Sequence, residues 1–335
     1  MGSFRIGLIG AGKHGARYIR HIRDDCPGID IVAVSRRDPV KLRATAEELG
    51  VRGFSSSREL IAAGGLDAVI AVVPPTLHLD IVRDAARAGL PVLLEKPAAP
   101  NLGVGREMLA ILKEDPIPVM VAQTLRYNGV VRRLLEERES IGSIHTIALG
   151  QRFEMSSLAW LDAPSVSGGG ITLHTGVHLF DLLRVLSGYE TVRITCQMQS
   201  IHTKHTEDSF AATAWLGEGR ALATVSCART APGRVGHIEL AGEKGTLIAD
   251  HVLRYAKRVV GTKSEDLDVG PPVATVQRVV NEFVEAVRGG RPMPVPLVEG
   301  LRAVAAVDAC YGAAASGTVA EVEPIRDESE PLFPS

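Results

Sequence analysis

Lysine is scarce in this chain, with eight residues against 29 arginines in a length of 335. The formal charge is −2 and no basic block stands out, so neither a nucleic-acid groove nor an anionic membrane surface is expected as a partner. No apolar run approaches the roughly 20 residues that span a bilayer. The first residues, Met1-Gly2-Ser3-Phe4-Arg5, lead straight into a strand-like segment, so no secretory signal is expected. Cysteine is sparse too. Cys26, Cys196, Cys227 and Cys310 lie far apart and form no C-x-x-C pair, which points to a reduced, cytoplasmic protein with small buried thiols. Internal repeats and low-complexity segments are missing. What is present is ordinary globular material, 45% hydrophobic and 23% charged. At roughly 100–200 residues per domain, the length suggests two domains.

Two rhythms divide the chain. Up to about residue 122, short apolar runs (Arg5–Ile9, Ile31–Val34, Ala68–Val73, Val92–Leu94, Val119–Ala122) alternate with amphipathic stretches. Pro39–Leu49 reads as a helix with Asp38 as N-cap and Gly50 as its stop, and Leu77–Ala88 ends the same way at Gly89. Apolar strands alternating with helices imply a parallel sheet covered on both faces, so residues 1–122 form a doubly wound α/β domain. Residues 123–335 carry longer strand-like segments at Ile144–Phe153, Val192–Met198, Phe210–Leu216, Ala221–Cys227 and Val235–Ala241. A hairpin is expected across Leu216–Ala221, then helices at Val273–Arg288 and Leu297–Ser316. That half is an α+β domain with a largely antiparallel sheet, and the polar tail after Pro324 is expected to fray.

Gly10-Ala11-Gly12-Lys13-His14-Gly15 is a complete G-x-G-x-x-G between an apolar strand and a helix. The first glycine makes the turn, the second lets backbone approach a pyrophosphate, and the third lets the helix pack on the strand. The next strand ends at Ser35-Arg36-Arg37, where a ribose-binding acid would mark NAD. A hydroxyl and two guanidinium groups suit a 2′-phosphate, so NADP(H) is the expected dinucleotide, with NAD(H) the alternative. Asp38 is better spent on the helix. At the end of a buried strand stands Glu95-Lys96-Pro97, a charged pair where open α/β sheets bind ligands.

With these motifs and the later Gly168-Gly169-Gly170…Gly176-Val177-His178-Leu179-Phe180-Asp181, the chain resembles the Gfo/Idh/MocA family of oxidoreductases. The likeness extends over nearly the whole chain. Val73-Pro74-Pro75 with His78 looks like the family's loop beside the nicotinamide ribose, and the segment from Gln123 to Tyr127 resembles the one joining its domains. Gly242–Leu247 is similar to a late sheet hairpin of the family, and Trp160 to the aromatic ahead of its triple glycine. The resemblance implies a Rossmann domain with Pro97 in a cis peptide, and Lys96 near the oxygen undergoing redox change. It implies a sugar, cyclitol or polyol substrate held between the domains, and a homodimer or homotetramer formed through the open sheet face. His178 carries over as the acid–base group.

His174 departs from the family, which commonly has Asp there. If the segment is a regular helix, His174, His178 and Asp181 share one face. Three roles stay open for His174: contact with the substrate hydroxyl, metal binding with His178 and Asp181, or no catalytic part at all, because it is only structural or the protein has lost catalysis. The family needs no metal, and none is expected here. Two rival functions stay open as well. One is a silent dinucleotide-binding regulator; the other is redox-assisted glycoside cleavage with a tightly held cofactor. Arg126 and Arg152 are weaker candidates for substrate contact because arginine is so common here, and Asp208 reads as a solvated loop charge.

Overall fold

In the computed structural model, which describes residues 2–325, the chain divides by its own contacts into two units. Of the described residues, the first takes in residues 2–124 and Ala274–Gly300, and the second Leu125–Val273 and residues 301–325. The expected fraying after Pro324 falls mainly on residues 326–335, which lie outside the described residues.

Six strands form the sheet of the first unit: β1 (Phe4–Ile9), β2 (Ile29–Ser35), β3 (Arg52–Phe54), β4 (Ala68–Ala71), β5 (Val92–Leu94) and β6 (Val119–Val121). All pair in parallel in the order β3-β2-β1-β4-β5-β6. Every residue of β4, β5 and β6 is buried, as expected of strands covered on both faces. The order reverses direction between β1 and β4, so the glycine turn after β1 opens at the switch point, where such sheets bind dinucleotides. Helix Pro39–Leu49 forms as its sequence signals direct. The Asp38 carboxylate accepts from Val40 N and Lys41 N, and Gly50 closes the helix in the left-handed region (φ 65°). Strand β3 and helix Ser57–Ala62, absent from the sequence reading, are too short for a periodic signal.

Ala274–Gly300 sits with the first unit and not, as its position along the chain suggests, with the second. Helix Thr275–Gly289 buries Val276, Val279, Val280, Phe283 and Val284. Each large apolar side chain so buried contributes roughly 1.5–3 kcal/mol. Polar ties add direction: Gln277 Nε2 donates to Asp25 O (2.7 Å) and Arg288 Nη2 to Gly28 O (2.8 Å). Val121 N donates to Val295 O at 2.8 Å.

The second unit holds a nine-stranded sheet: β7 (Ile144–Arg152), β8 (Thr191–Gln199), β9 (Ser209–Leu216), β10 (Ala221–Ala228), β11 (Val235–Gly242), β12 (Gly245–Asp250), β13 (Tyr255–Val260), β14 (Lys263–Leu267) and β15 (Ala320–Glu321). Its order is β14-β13-β12-β11-β7-β10-β9-β8-β15, antiparallel except for the β7–β10 pair. Both expected hairpins form, with Leu216 opposite Ala221 and Gly242 opposite Gly245. Along β10, buried Ala221, Ala223, Val225 and Cys227 alternate with Leu222, Thr224 and Ser226, so one face belongs to the core and the other is open. Strands β13 to β15, at or next to the sheet's edges, went unanticipated because they are polar or very short: β14 reads Lys-Ser-Glu-Asp-Leu. Among the described residues, no helix is long and apolar enough to cross a membrane. All four cysteines are free and buried.

Candidate active site

In the first unit the candidate residues gather around the glycine turn. Gly10 has φ 97°, and a Cβ there would lie 2.3 Å from Val72 O, so backbone contact demands glycine. At Gly12 the opposite holds: a Cβ would meet nothing within 4 Å, which leaves open the approach that a pyrophosphate needs. Gly10 N and Ala11 N donate to Ser35 O, so buried Ser35 serves the turn through its carbonyl. Arg36 Nη1 donates to Ala11 O at 2.7 Å. A cleft of about 430 Å³ brings Gly12, Lys13 and Arg36 together with Arg20, Arg23, Thr45 and Glu48. Arg37 is exposed and lies outside that wall.

Glu95, just after β5, is buried and fully engaged. Oε1 lies 2.7 Å from His14 Nε2 and accepts from Tyr18 OH at 2.6 Å, while Oε2 accepts from Lys96 N at 3.0 Å. Burial alone pushes this carboxyl up, but the bonds and charge of His14, the charge of Lys96 and the Tyr18 bond outweigh it and bring it to about 2. Tyr18 moves well above its ordinary value through burial, then through the charge of Glu95, and so remains a donor. The peptide between Lys96 and Pro97 is cis, as the resemblance implied.

His78 is fully buried, and its Nδ1 donates to Ala98 O at 3.0 Å. Nε2 has no hydrogen-bond partner, and burial holds the ring's pKa below its ordinary value, which keeps it neutral. His78 thereby ties the Val73-Pro74-Pro75 loop, of which Pro75 is buried, to the turn after Lys96. Gln123, just after β6, is also fully buried.

The second unit holds the histidine segment, and here the local geometry differs from a regular helix. Thr172–Gly176 forms a π turn, and the α-helix begins only at Val177. A wider turn breaks the simple one-face relation of His174, His178 and Asp181. His174 is buried, with Nε2 donating to Ser167 O at 3.0 Å and its ring edge-on to Trp160 (5.4 Å, 83°). His178 is half-buried. Asp181 is held by Arg126 through two bonds, from Nε at 2.8 Å and Nη2 at 2.5 Å. Arg126 therefore serves the fold, and so does Arg152, which donates to Ser226 O and Oγ. Among the described residues, no group of three or more His, Cys, Asp or Glu side chains is arranged to hold a metal ion.

Two carboxylates, Asp162, absent from the sequence argument, and Asp208, expected there to be a solvated charge, shape the loop 201–206. Asp162 accepts from Lys204 N, His205 N and Thr206 N, bonds that hold its pKa at about 2. Asp208 accepts from Ile201 N, His202 N and Thr203 N. Asp208 is thus no solvated charge: it is 3% exposed, and its backbone bonds overcome the burial that would raise its pKa. No spacing signal marks either residue, because each partner is a backbone N–H in a loop.

Against known families, residues 4–123 match the NAD-binding Rossmann fold of the oxidoreductase family, and residues 132–322 match the family's C-terminal alpha/beta domain. The chain is 29% identical to the rhizopine catabolism protein MocA of Rhizobium meliloti over 196 residues, 57% of this chain and 59% of that one. It is 28% identical to the inositol 2-dehydrogenase of Corynebacterium glutamicum over 198 residues, 57% of this chain and 56% of that one. These matches span little more than half the length of the curated relatives. A solved levoglucosan dehydrogenase, in complex with NADH and L-sorbose, has the same fold: TM-score 0.86 at 20% identity, over 97% of this chain and all of that one. Both halves in their proper order, with the glycine turn, the cis-proline turn and the triple glycine in place, establish that the chain belongs to the Gfo/Idh/MocA oxidoreductase family.

Proposed function

We propose that this chain is a dehydrogenase or reductase that moves a hydride to or from a secondary alcohol or ketone of a sugar, cyclitol or related polyol. The observation that carries the reading is the bond between His14 and Glu95, which joins the nucleotide turn to the turn bearing Lys96. A nicotinamide, when bound, supplies or takes the hydride. The open approach at Gly12 fits its pyrophosphate. The Lys96 ammonium stabilises the developing alkoxide, and His178 exchanges the hydroxyl proton. His174, whose Nε2 donates to the Ser167 carbonyl, orients the substrate hydroxyl in this reading.

NADP(H) is the preferred dinucleotide in this reading and NAD(H) the second. Lys13 and Arg36 line the cleft beside the turn, Arg37 is exposed, and the Asp38 carboxylate is occupied by backbone N–H groups instead of a ribose. Free, buried cysteines suit a cytoplasmic enzyme. The open face of the nine-stranded sheet, with Leu222 46% exposed, suits a homodimer or homotetramer.

Mass spectrometry of the co-purified dinucleotide, with a sugar and polyol panel followed by nicotinamide absorbance, tests the reading. Turnover on a polyol with NADP(H) is the expected result. Tight binding of a dinucleotide with no net absorbance change on any substrate would overturn it in favour of a silent regulator or redox-assisted cleavage.

A further inference from the structure

The π turn at Thr172–Gly176 cannot cap itself. Helical segments begin with backbone N–H groups that have no partner within the segment, and here the preceding residue, Ile171, supplies no side-chain bond. The missing acceptors come from a distant part of the chain. Glu207 O accepts from Ile171 N at 2.9 Å, and Glu207 Oε1 accepts from Thr172 N at 2.9 Å. Tyr311, on helix Leu297–Ser316, donates its OH to the same Oε1 at 2.8 Å and accepts from Gly170 N at 3.2 Å. Its phenol is pushed far above its ordinary range by burial and by the charge of Glu207, so it stays a donor.

This contact explains two of the three glycines. A Cβ at Gly170 would lie 2.1 Å from Glu207 O, and one at Gly169 would lie 2.4 Å from Tyr311 OH. The turn so held begins the segment in which His174 N bonds Gly170 O (3.0 Å) and which runs on into the helix bearing His178. π turns are rare and poorly stabilised on their own, so an external clamp selects this winding over the α-helical one.

We propose that Glu207 and Tyr311 are positioning residues that hold the π turn and thereby set the orientation of His174 and His178. The clamp rests on the oxidoreductase reading only for what the two histidines do. Tyr311→Phe removes one donor without opening a cavity, and Glu207→Ala removes the cap, whereas Glu207→Gln keeps an acceptor for Thr172 N. With isotope-labelled histidine, the Cε1–H resonances of His174 and His178 shift in Tyr311→Phe and Glu207→Ala and return toward wild type in Glu207→Gln. In turnover, kcat falls by about ten- to a hundredfold, as expected for a misplacement of the order of 1 Å, while KM for the dinucleotide holds. If Tyr311→Phe fails to fold, the Glu207→Ala and Glu207→Gln pair makes the same comparison. Unmoved imidazole resonances with only a lowered melting point would overturn the proposal. If no polyol is turned over, the functional reading fails, and the resonances still decide the clamp.

Discussion

His14 Nε2 lies 2.7 Å from Glu95 Oε1, although 81 residues separate them. The bond links the glycine turn after β1 to the E-K-P turn after β5 within one unit, and Tyr18, one helical turn beyond His14, completes the grip. Glu95 is thus a buried anion with its lone pairs in use, a state that costs little only while every donor is present.

That state makes stability depend on acid. The folded pKa of Glu95, about 2, lies below its ordinary 4.5, so its contribution is full above the ordinary value and is lost as pH falls toward 2. The difference corresponds to about 3 kcal/mol. Urea midpoints measured between neutral pH and pH 2 should fall more steeply in wild type than in Glu95→Gln. Parallel curves would show that the carboxylate contributes nothing.

The first two roles in the glycine turn separate by substitution. Gly10→Ala meets Val72 O at 2.3 Å and should destabilise the unit, seen as a lower melting temperature. Gly12→Ala meets nothing within 4 Å, so the protein should melt as wild type yet bind dinucleotide at least about tenfold more weakly by fluorescence titration.

Arg37 is exposed just beyond β2. Arg37→Gln should weaken NADPH binding by about tenfold, the loss of one charge-assisted bond to phosphate, and leave NADH unchanged. Calorimetry with both nucleotides checks it, and equal affinities in wild type would remove the 2′-phosphate argument.

Asp181 and Arg126 form a bidentate pair with side chains 2% and 15% exposed. Arg126→Ala should cost about 3–5 kcal/mol in chemical denaturation, because it takes both guanidinium bonds and the opposite charge from a buried carboxylate. The double variant Arg126→Met/Asp181→Leu should lose less than the single one.

Lys96→Met tests the alkoxide role. The expected outcome is a fall in kcat of at least about a hundredfold with the melting point retained. A variant with nearly wild-type kcat would take Lys96 out of the mechanism.

Much of the architecture was legible because its causes are local. Asp38 and Gly50 bracket their helix through bonds to neighbours two to four residues away, and Pro39 opens its first turn. The strand Val92–Leu94 and the Leu216–Ala221 hairpin follow from runs and turn residues read in place. Features with distant causes were not legible. Tyr311 and Glu207 are 104 residues apart, and a glutamate in a loop carries no sign of the amide it will cap. Arg126 was indistinguishable from 28 other arginines until Asp181 was found beside it. The amphipathic helix Thr275–Gly289 announced an apolar face but not which unit would cover it.

By itself, the sequence determined the two sheet types and the glycine turn, since these depend on backbone preference and on burial period along a short stretch, while the cis-proline turn and the family followed from the resemblance of its motifs. Tertiary structure alone decided that Glu95 is locked by His14 and Tyr18, that Asp181 belongs to Arg126, and that His174 stands in a π turn. Each of those outcomes rests on a buried polar group finding its partner far along the chain, and the free energy of that match exists only once the chain has folded.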